Sequence, residues 1–239
     1  SREGIIMSPP NLPGWDDVHI VNYMTEALDV PAFLENDANA AALGEYTANG
    51  HNASSYILIT LGTGIGGGAV INSKIYRGFN GVGIEPGHMT LINGGERCTC
   101  GKHGCWETYG SVTALINQTK LKMTDNPDSL MHKISGKFGE VNGRVAFEAA
   151  KAGDKAGLEV VEKYTEYVAD GITSVINIFE PEILVIGGGI SKEGEYLLNP
   201  IRKFVEINEF NKYRPKTKIE IASLNNDAGI IGAALSANR

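Results

Sequence analysis

Tyr56-Ile57-Leu58-Ile59-Thr60-Leu61, then Gly62-Thr63-Gly64-Ile65-Gly66-Gly67-Gly68, then Ala69-Val70-Ile71, is the stretch from which the fold is read. Its first six residues are a nearly unbroken apolar run of strand length, the pattern of a strand covered on both faces. The glycines read as a loop and Ala69 to Ile71 as a resumed strand, so the unit is strand, glycine turn, strand. Gly62, Gly64 and Gly67 formally match G-x-G-x-x-G. The dinucleotide fingerprint requires a helix after that loop, and here a strand follows, which excludes a Rossmann reading. A tight hairpin turn is the plain alternative, but five glycines in seven residues are more than such a turn uses. The surplus points to phosphate contact, with the backbone at Gly62, Thr63, Gly64 and Gly66 and the Thr63 hydroxyl forming an anion-binding cradle.

Toward the C-terminus the same logic repeats with a helix added. Ile183 to Ile186 reads as a buried strand, Gly187-Gly188-Gly189 as its turn, and about Glu193 to Asn208 as a helix, which is a unit of the α/β class. Without side chains at Gly187, Gly188 and Gly189, a nucleotide base or ribose could approach the sheet's C-terminal edge. Close packing of helix on strand explains the triplet nearly as well. Val160, Val161, Tyr164, Val168, Ile172, Val175, Ile176 and Phe179 mark a long amphipathic helix that Pro181 stops at Glu180. A last strand over Ile219 to Ile221 leads to a helix over Ala228 to Ala237, capped by the side chains of Asn225, Asn226 and Asp227.

Upstream, Ser8 to Trp15 carries three prolines and reads as a rigid surface loop. Val18 to Leu28 has helical spacing, Ala32 to Leu34 reads as a short strand, and Ala38 to Tyr46 as a helix stopped by Gly50 and Asn52. Ser111 to Lys120 is helical in pattern, while Asp125 to Gly143 is polar and carries little functional signal.

With 239 residues, 42% of them hydrophobic, the chain can build a sizeable core. A net charge of -7 argues against a phosphate-backbone binder, because nucleic-acid domains carry a basic face. Neither a membrane-spanning apolar run nor a signal-peptide layout is found, so the protein is expected to be cytoplasmic. Ser1 is not a methionine and leads straight into a strand-like stretch, so a segment is expected upstream of it.

All three cysteines lie in Cys98-Thr99-Cys100-Gly101-Lys102-His103-Gly104-Cys105. An odd count in so short a span does not suit a disulfide framework. With His88 they supply three thiolates and an imidazole, the ligand set of a tetrahedral structural zinc site. Gly94, Gly95, Gly101 and Gly104 would permit the positive φ angles needed to wrap one ion. Three clustered apolar thiols are the alternative, and a redox pair is disfavoured because no C-x-x-C is present.

Glu85 and Glu107 flank this cluster, and a metal-held loop would keep them rigid enough to accept hydrogen bonds from vicinal hydroxyls, as a sugar pocket requires. Either could instead be a solvated surface charge. Asp37, beside Asn36 before a helix, is the candidate general base for transfer of a phosphoryl group to a hydroxyl. Helix capping is the commoner role for such an aspartate and is compatible with it.

Taken together, these motifs resemble the ROK family of bacterial sugar kinases and sugar-responsive repressors. The match runs through Asn11 to Trp15, Glu35 to Asn39, Leu61 to Gly68, Glu85 to His88, Cys98 to Glu107 and Gly187 to Gly189. Its E-x-G-H motif falls on Glu85 and His88, and its C-x-C-G-x-x-G-C-x-E motif on Cys98, Cys100, Cys105 and Glu107.

The resemblance implies an α/β, actin/hexokinase-like (ribonuclease H-like) fold of two domains, with zinc, with ATP and Mg2+ as phosphoryl donor, and with a homodimer. Residues 1–38 would be a remnant of the small domain joined by helix 227–239, and residues 39–226 the large domain with the zinc and sugar sites. Asp37 would act on the primary hydroxyl of a hexose, glucose foremost. Asn36, Glu85, His88 and Glu107 would hold the others, His88 sharing itself between zinc and sugar. N-acetylmannosamine, fructose, allose and β-glucosides are the alternative substrates. A repressor, with an N-terminal DNA-binding domain, is the alternative function. The family's D-x-G-G-T phosphate loop is not found in this chain, so these residues alone are expected not to phosphorylate a sugar with ATP.

Overall fold

The computed structural model describes residues 3–7, 14–49 and 52–237. The proline-rich loop and Gly50 of the sequence reading therefore lie largely outside the described residues. Strands β1 (Ser55–Leu61), β2 (Ile65–Ile71), β3 (Lys74–Ile75), β4 (Ile183–Gly187) and β5 (Lys218–Ile221) form one sheet in the order β3-β2-β1-β4-β5. Pairing is antiparallel from β3 through β2 to β1 and parallel from β1 through β4 to β5.

The helices are α1 (Ile20–Leu28), α2 (Asp37–Ala48), α3 (Glu107–Gly110), α4 (Val112–Asp125), α5 (Leu130–Phe138), α6 (Val145–Lys151), α7 (Lys155–Phe179), α8 (Glu195–Asn208) and α9 (Asp227–Ser236). The central strands are apolar throughout because both faces are covered. Ile57, Ile59 and Leu61 of β1 join Leu184 and Ile186 of β4 in the core shared with α4 to α8. Tyr56 and Leu58 turn the other way and pack with Val70, Ile183 and Val185 against Ala42 and Tyr46 of α2.

Several local expectations are corrected. The loop is only Gly62 to Gly64, and Gly66, Gly67 and Gly68 belong to β2, because a helix and a turn press directly on their Cα atoms. Ala32 to Leu34 forms no strand: propensity makes a strand only where a partner edge is available. Instead the Ala32 amide donates to Thr25 Oγ1 at 3.2 Å, and Phe33 and Leu34 are exposed. The polar stretch from Asp125 to Gly143 contains α5, which buries Met131 and Ile134. Asn226 stands at the start of α9 with no side-chain cap bond, and Asn225 Nδ2 donates to Ser223 O instead.

Helix α9 seats on α2. A Cβ at Gly232 would lie 1.6 Å from Ala40 O, and one at Gly44 would lie 2.1 Å from Ala228 O, so the two backbones touch. Glu45 of α2, fully buried, accepts from Ser223 N, Ser223 Oγ, Leu224 N and Asn49 Nδ2. Four donors replace the water this carboxylate gives up.

Asp154 staples the other side of the molecule. It caps α7 by accepting from Gly157 N at 2.7 Å, and also accepts from Leu130 N and Ser129 Oγ, both at 2.9 Å, at the start of α5. Burial alone would raise its pKa, but these bonds outweigh it and hold the carboxyl below its ordinary value. Asp154→Ala is expected to lower stability by about 1–2 kcal/mol in urea unfolding. A depressed folded-state pKa stabilises above the unfolded value of about 3.9 and is lost as pH falls through the folded one. The gap between the variant and the parent should therefore narrow below about pH 4.

Candidate active site

The candidate site lies at one end of the sheet, where β2 and β4 present glycines on either side of Thr60 of β1. Thr60 of β1 pairs with Gly66 of β2 on one side and with Gly187 of β4 on the other. The Gly62 to Gly64 turn and the Gly187 to Gly189 turn therefore lie side by side at the C-terminal ends of β1 and β4. Gly188 has φ +89°, and a Cβ there would sit 2.2 Å from Leu61 O, so no other residue fits. The first turn is latched to α4: Val112 N donates to Gly62 O at 2.8 Å and Thr113 Oγ1 to Thr63 O at 2.7 Å. Gly62 N, expected in a phosphate cradle, is spent within the turn on Gly64 O at 2.9 Å. Thr63 is exposed.

The glycines of β2 bring the carboxylates in. Gly68 makes room for Ala38 O and Gly66 for Ala38 Cβ, which sets the N-terminus of α2 on the strand. Asn36 is its cap, accepting from Asn39 N at 3.0 Å, and Asp37 is the first helical residue. The capping role considered for Asp37 thus belongs to its neighbour. Asp37 is exposed, and its Oδ1 accepts its own neighbour's amide, Ala38 N, at 2.8 Å.

Gly67 in turn accepts Pro86, whose Cγ would be 2.6 Å from an added Cβ, and Gly87 lies against Ile65 O. The short 3-10 turn Pro86–His88 is thereby clamped on β2, with Glu85 entering it and His88 closing it. Burial is the main reason the Glu85 pKa is raised; His88 pulls it down, while Asp37 and Glu107 push it up. Glu85 therefore feels the charges of Asp37, His88 and Glu107, which come from three separate segments. Glu107 Oε2 accepts Ile65 N at 3.0 Å, tying the cluster to the glycine turn.

The side-chain donors of His88, Cys98, Cys100 and Cys105 all lie within 4.8 Å of one another. Cys100 Sγ is 3.6 Å from Cys105 Sγ, and Cys98 Sγ is 3.7 Å from His88 Nδ1. Tetrahedral zinc bonds of about 2.0–2.3 Å separate such ligands by roughly these distances, so the residues fit the ion. Burial, reinforced by the other two sulfurs, pushes the Cys105 thiol up to about 12, whereas the Lys102 backbone amide lowers Cys100. A divalent cation overrides that split, because a coordinating thiol is deprotonated outright. Gly101 and Gly104 have the expected positive φ, but Gly95 does not; a Cβ there would strike Tyr109 Oη at 2.0 Å.

Two supports were not legible in the sequence. Trp106, between Cys105 and Glu107, is fully buried and donates its indole N–H to Tyr167 O at 2.8 Å. Its ring fills a slot at Gly171 of α7, where a Cβ would come within 2.0 Å. Tyr109 Oη accepts Glu96 N at 2.7 Å, steadying the cysteine loop. Composition carries no signal for either contact, since each depends on how the chain folds back on itself: Trp106 meets a residue 61 positions away and Tyr109 one 13 positions back.

Acidic groups and glycine turns gathered at the C-terminal edge of a partly parallel sheet define an α/β protein, a class in which ligands bind at the strand ends. The ROK family model matches residues 1–239, and the chain belongs to the ROK family. A glucokinase of Halalkalibacterium halodurans is 39% identical over 231 residues, covering 96% of this chain and 70% of that protein. A xylose repressor of Bacillus spizizenii is 32% identical, covering 97% of this chain and 56% of the repressor. The ROK glucokinase of Streptomyces griseus, solved with glucose and AMPPNP, superposes with a TM-score of 0.87 at 33% identity, covering 98% of this chain and 77% of that one.

Proposed function

We propose that this chain carries the sugar-binding and proton-accepting part of an ATP-dependent hexose kinase, with glucose as its substrate. The observation that carries the reading is that β2 seats both the start of α2, with Asn36 and Asp37, and the Pro86–His88 turn that follows Glu85, and takes Glu107 at Ile65 N, beside two glycine turns. The likeness to a glucokinase and to a structure holding glucose and AMPPNP supports it. Asp37 accepts the proton of the primary hydroxyl as its oxygen bonds to the γ-phosphorus of ATP and the bond to the departing ADP breaks; Mg2+ would supply charge that offsets that of the phosphates. Asn36, Glu85, His88 and Glu107 bind the remaining hydroxyls. The turns at Gly62 to Gly64 and Gly187 to Gly189 accept the nucleotide.

A zinc ion would be held by His88, Cys98, Cys100 and Cys105, and would keep the loop folded. His88 Nδ1 faces Cys98, which leaves Nε2 for the sugar. A homodimer in the cytoplasm, with the large domain spanning residues 39–226, completes the reading. Among the described residues, no helix is long and apolar enough to cross a membrane.

The test is a coupled assay of ADP release by the full-length protein over a panel of hexoses. Glucose-dependent turnover giving a 6-phosphate is expected; no hexose-dependent ADP release would overturn the reading. The likeness to a xylose repressor keeps sugar-responsive repression as a second reading. Specific DNA binding released by sugar, without turnover, would favour it.

A further inference from the structure

Arg77 follows β3 and Glu35 precedes α2, and neither lies in a helix or strand. Their side chains nevertheless meet as an ion pair on a single oxygen: Arg77 Nε donates to Glu35 Oε2 at 2.8 Å, and Nη2 reaches the same oxygen. The other oxygen, Glu35 Oε1, accepts Asn36 N at 3.1 Å and Asn39 Nδ2 at 3.2 Å. The Glu35 side chain is only 8% exposed. A carboxylate so far out of water holds its geometry because removing its cation would leave a desolvated charge.

Each end of this pair leads to a different part of the cleft. On one side, Glu35 grips the backbone of Asn36 and the side chain of Asn39, the residue whose amide Asn36 caps; Asp37 stands on that same first turn. On the other, Gly83 N donates to Arg77 O at 3.0 Å and closes the loop that runs into Glu85. Glu85 also feels the like charge of Asp37, which disfavours close approach of their two segments.

We propose that Arg77 is a positioning residue: through Glu35 it holds the Asn36–Asp37 turn in register with the loop that carries Glu85. This rests on the reading of the cleft as a sugar kinase site. A displacement of about 1 Å at reacting groups can cost about 10²-fold in rate, so small slippage here is enough to matter.

The experiment compares Arg77→Met, Glu35→Gln, the double variant and Arg77→Lys in the full-length protein. Sugar KM, ATP KM and kcat would be measured, together with sugar binding by calorimetry without ATP. Arg77→Met is expected to lower kcat/KM for sugar by about 10²-fold through both parameters while ATP KM stays put. The double variant should be no worse than the worse single one, because the two act as a unit. Arg77→Lys should recover part of the loss, keeping the charge without the fork. Losses that add, or an Arg77→Met protein with wild-type sugar binding and turnover, overturn the proposal. Should Arg77→Met not fold, Glu35→Gln and Arg77→Lys carry the same test, with wild-type sugar parameters in both overturning it. A wild-type protein that binds no sugar overturns the functional reading and this one with it, whereas wild-type binding retained by the variants overturns the positioning role alone.

Discussion

Asp37→Asn in the full-length protein is expected to lower kcat by about 10²–10⁴-fold, the usual worth of a positioned general base. The substitution keeps shape and the Oδ1 acceptor that takes Ala38 N, so α2 should start where it does now. What it removes is the ability to accept a proton from the attacking hydroxyl. Sugar binding should change far less than turnover, since Asn36, Glu85, His88 and Glu107 remain. The loss should therefore appear in kcat of the coupled assay and scarcely in calorimetric sugar affinity. Full activity in the variant would remove Asp37 from the chemistry and return it to the first turn of a helix.

Stripping the metal is expected to have the largest effect on structure. Purified protein should hold about one zinc per chain, and removing it should cost several kcal/mol, because binding energy at such a site is also folding energy. Cys105→Ser should do the same, since its sulfur is buried beside Cys100 and under the His88 carbonyl. Sugar affinity should fall in parallel. In the proposed site His88 would serve both ion and sugar, and Glu107 is two residues past Cys105, with Cys98 Sγ 4.0 Å from its Oε1. Metal analysis together with urea unfolding and sugar calorimetry checks this. A zinc-free protein of unchanged stability and sugar affinity would leave the cluster as thiols that merely pack together.

The residues of the site were legible because their chemistry is written in short motifs. Three cysteines and a histidine within a glycine-rich span admit few readings, and Asn36-Asp37 before an alanine-rich helix announces a helix start. The strand at Tyr56 to Leu61 was plain, since burial on both faces demands an unbroken apolar run. The roles of the glycines were less so. A run of five in seven suggested ligand contact throughout, yet Gly66, Gly67 and Gly68 are small so that α2 and the Pro86–His88 turn can press on β2. Local pattern cannot distinguish a backbone approached by a ligand from one approached by another part of the chain.

The pairing of β1 with β4 joins segments more than a hundred residues apart, and no periodicity in either strand names the other. The same holds for Glu35 with Arg77, for Trp106 with Gly171, and for Glu45 with Leu224, where a charge or a ring acquires its meaning from what packs against it. Side-chain chemistry and strand period are properties of neighbouring residues, and so the amino-acid order is enough to establish them: the donor set, the candidate base, the α/β alternation. Which groups face one another, and which carboxylate is held out of water, depends on how distant segments bury their apolar faces together, and that is settled when the sheet closes.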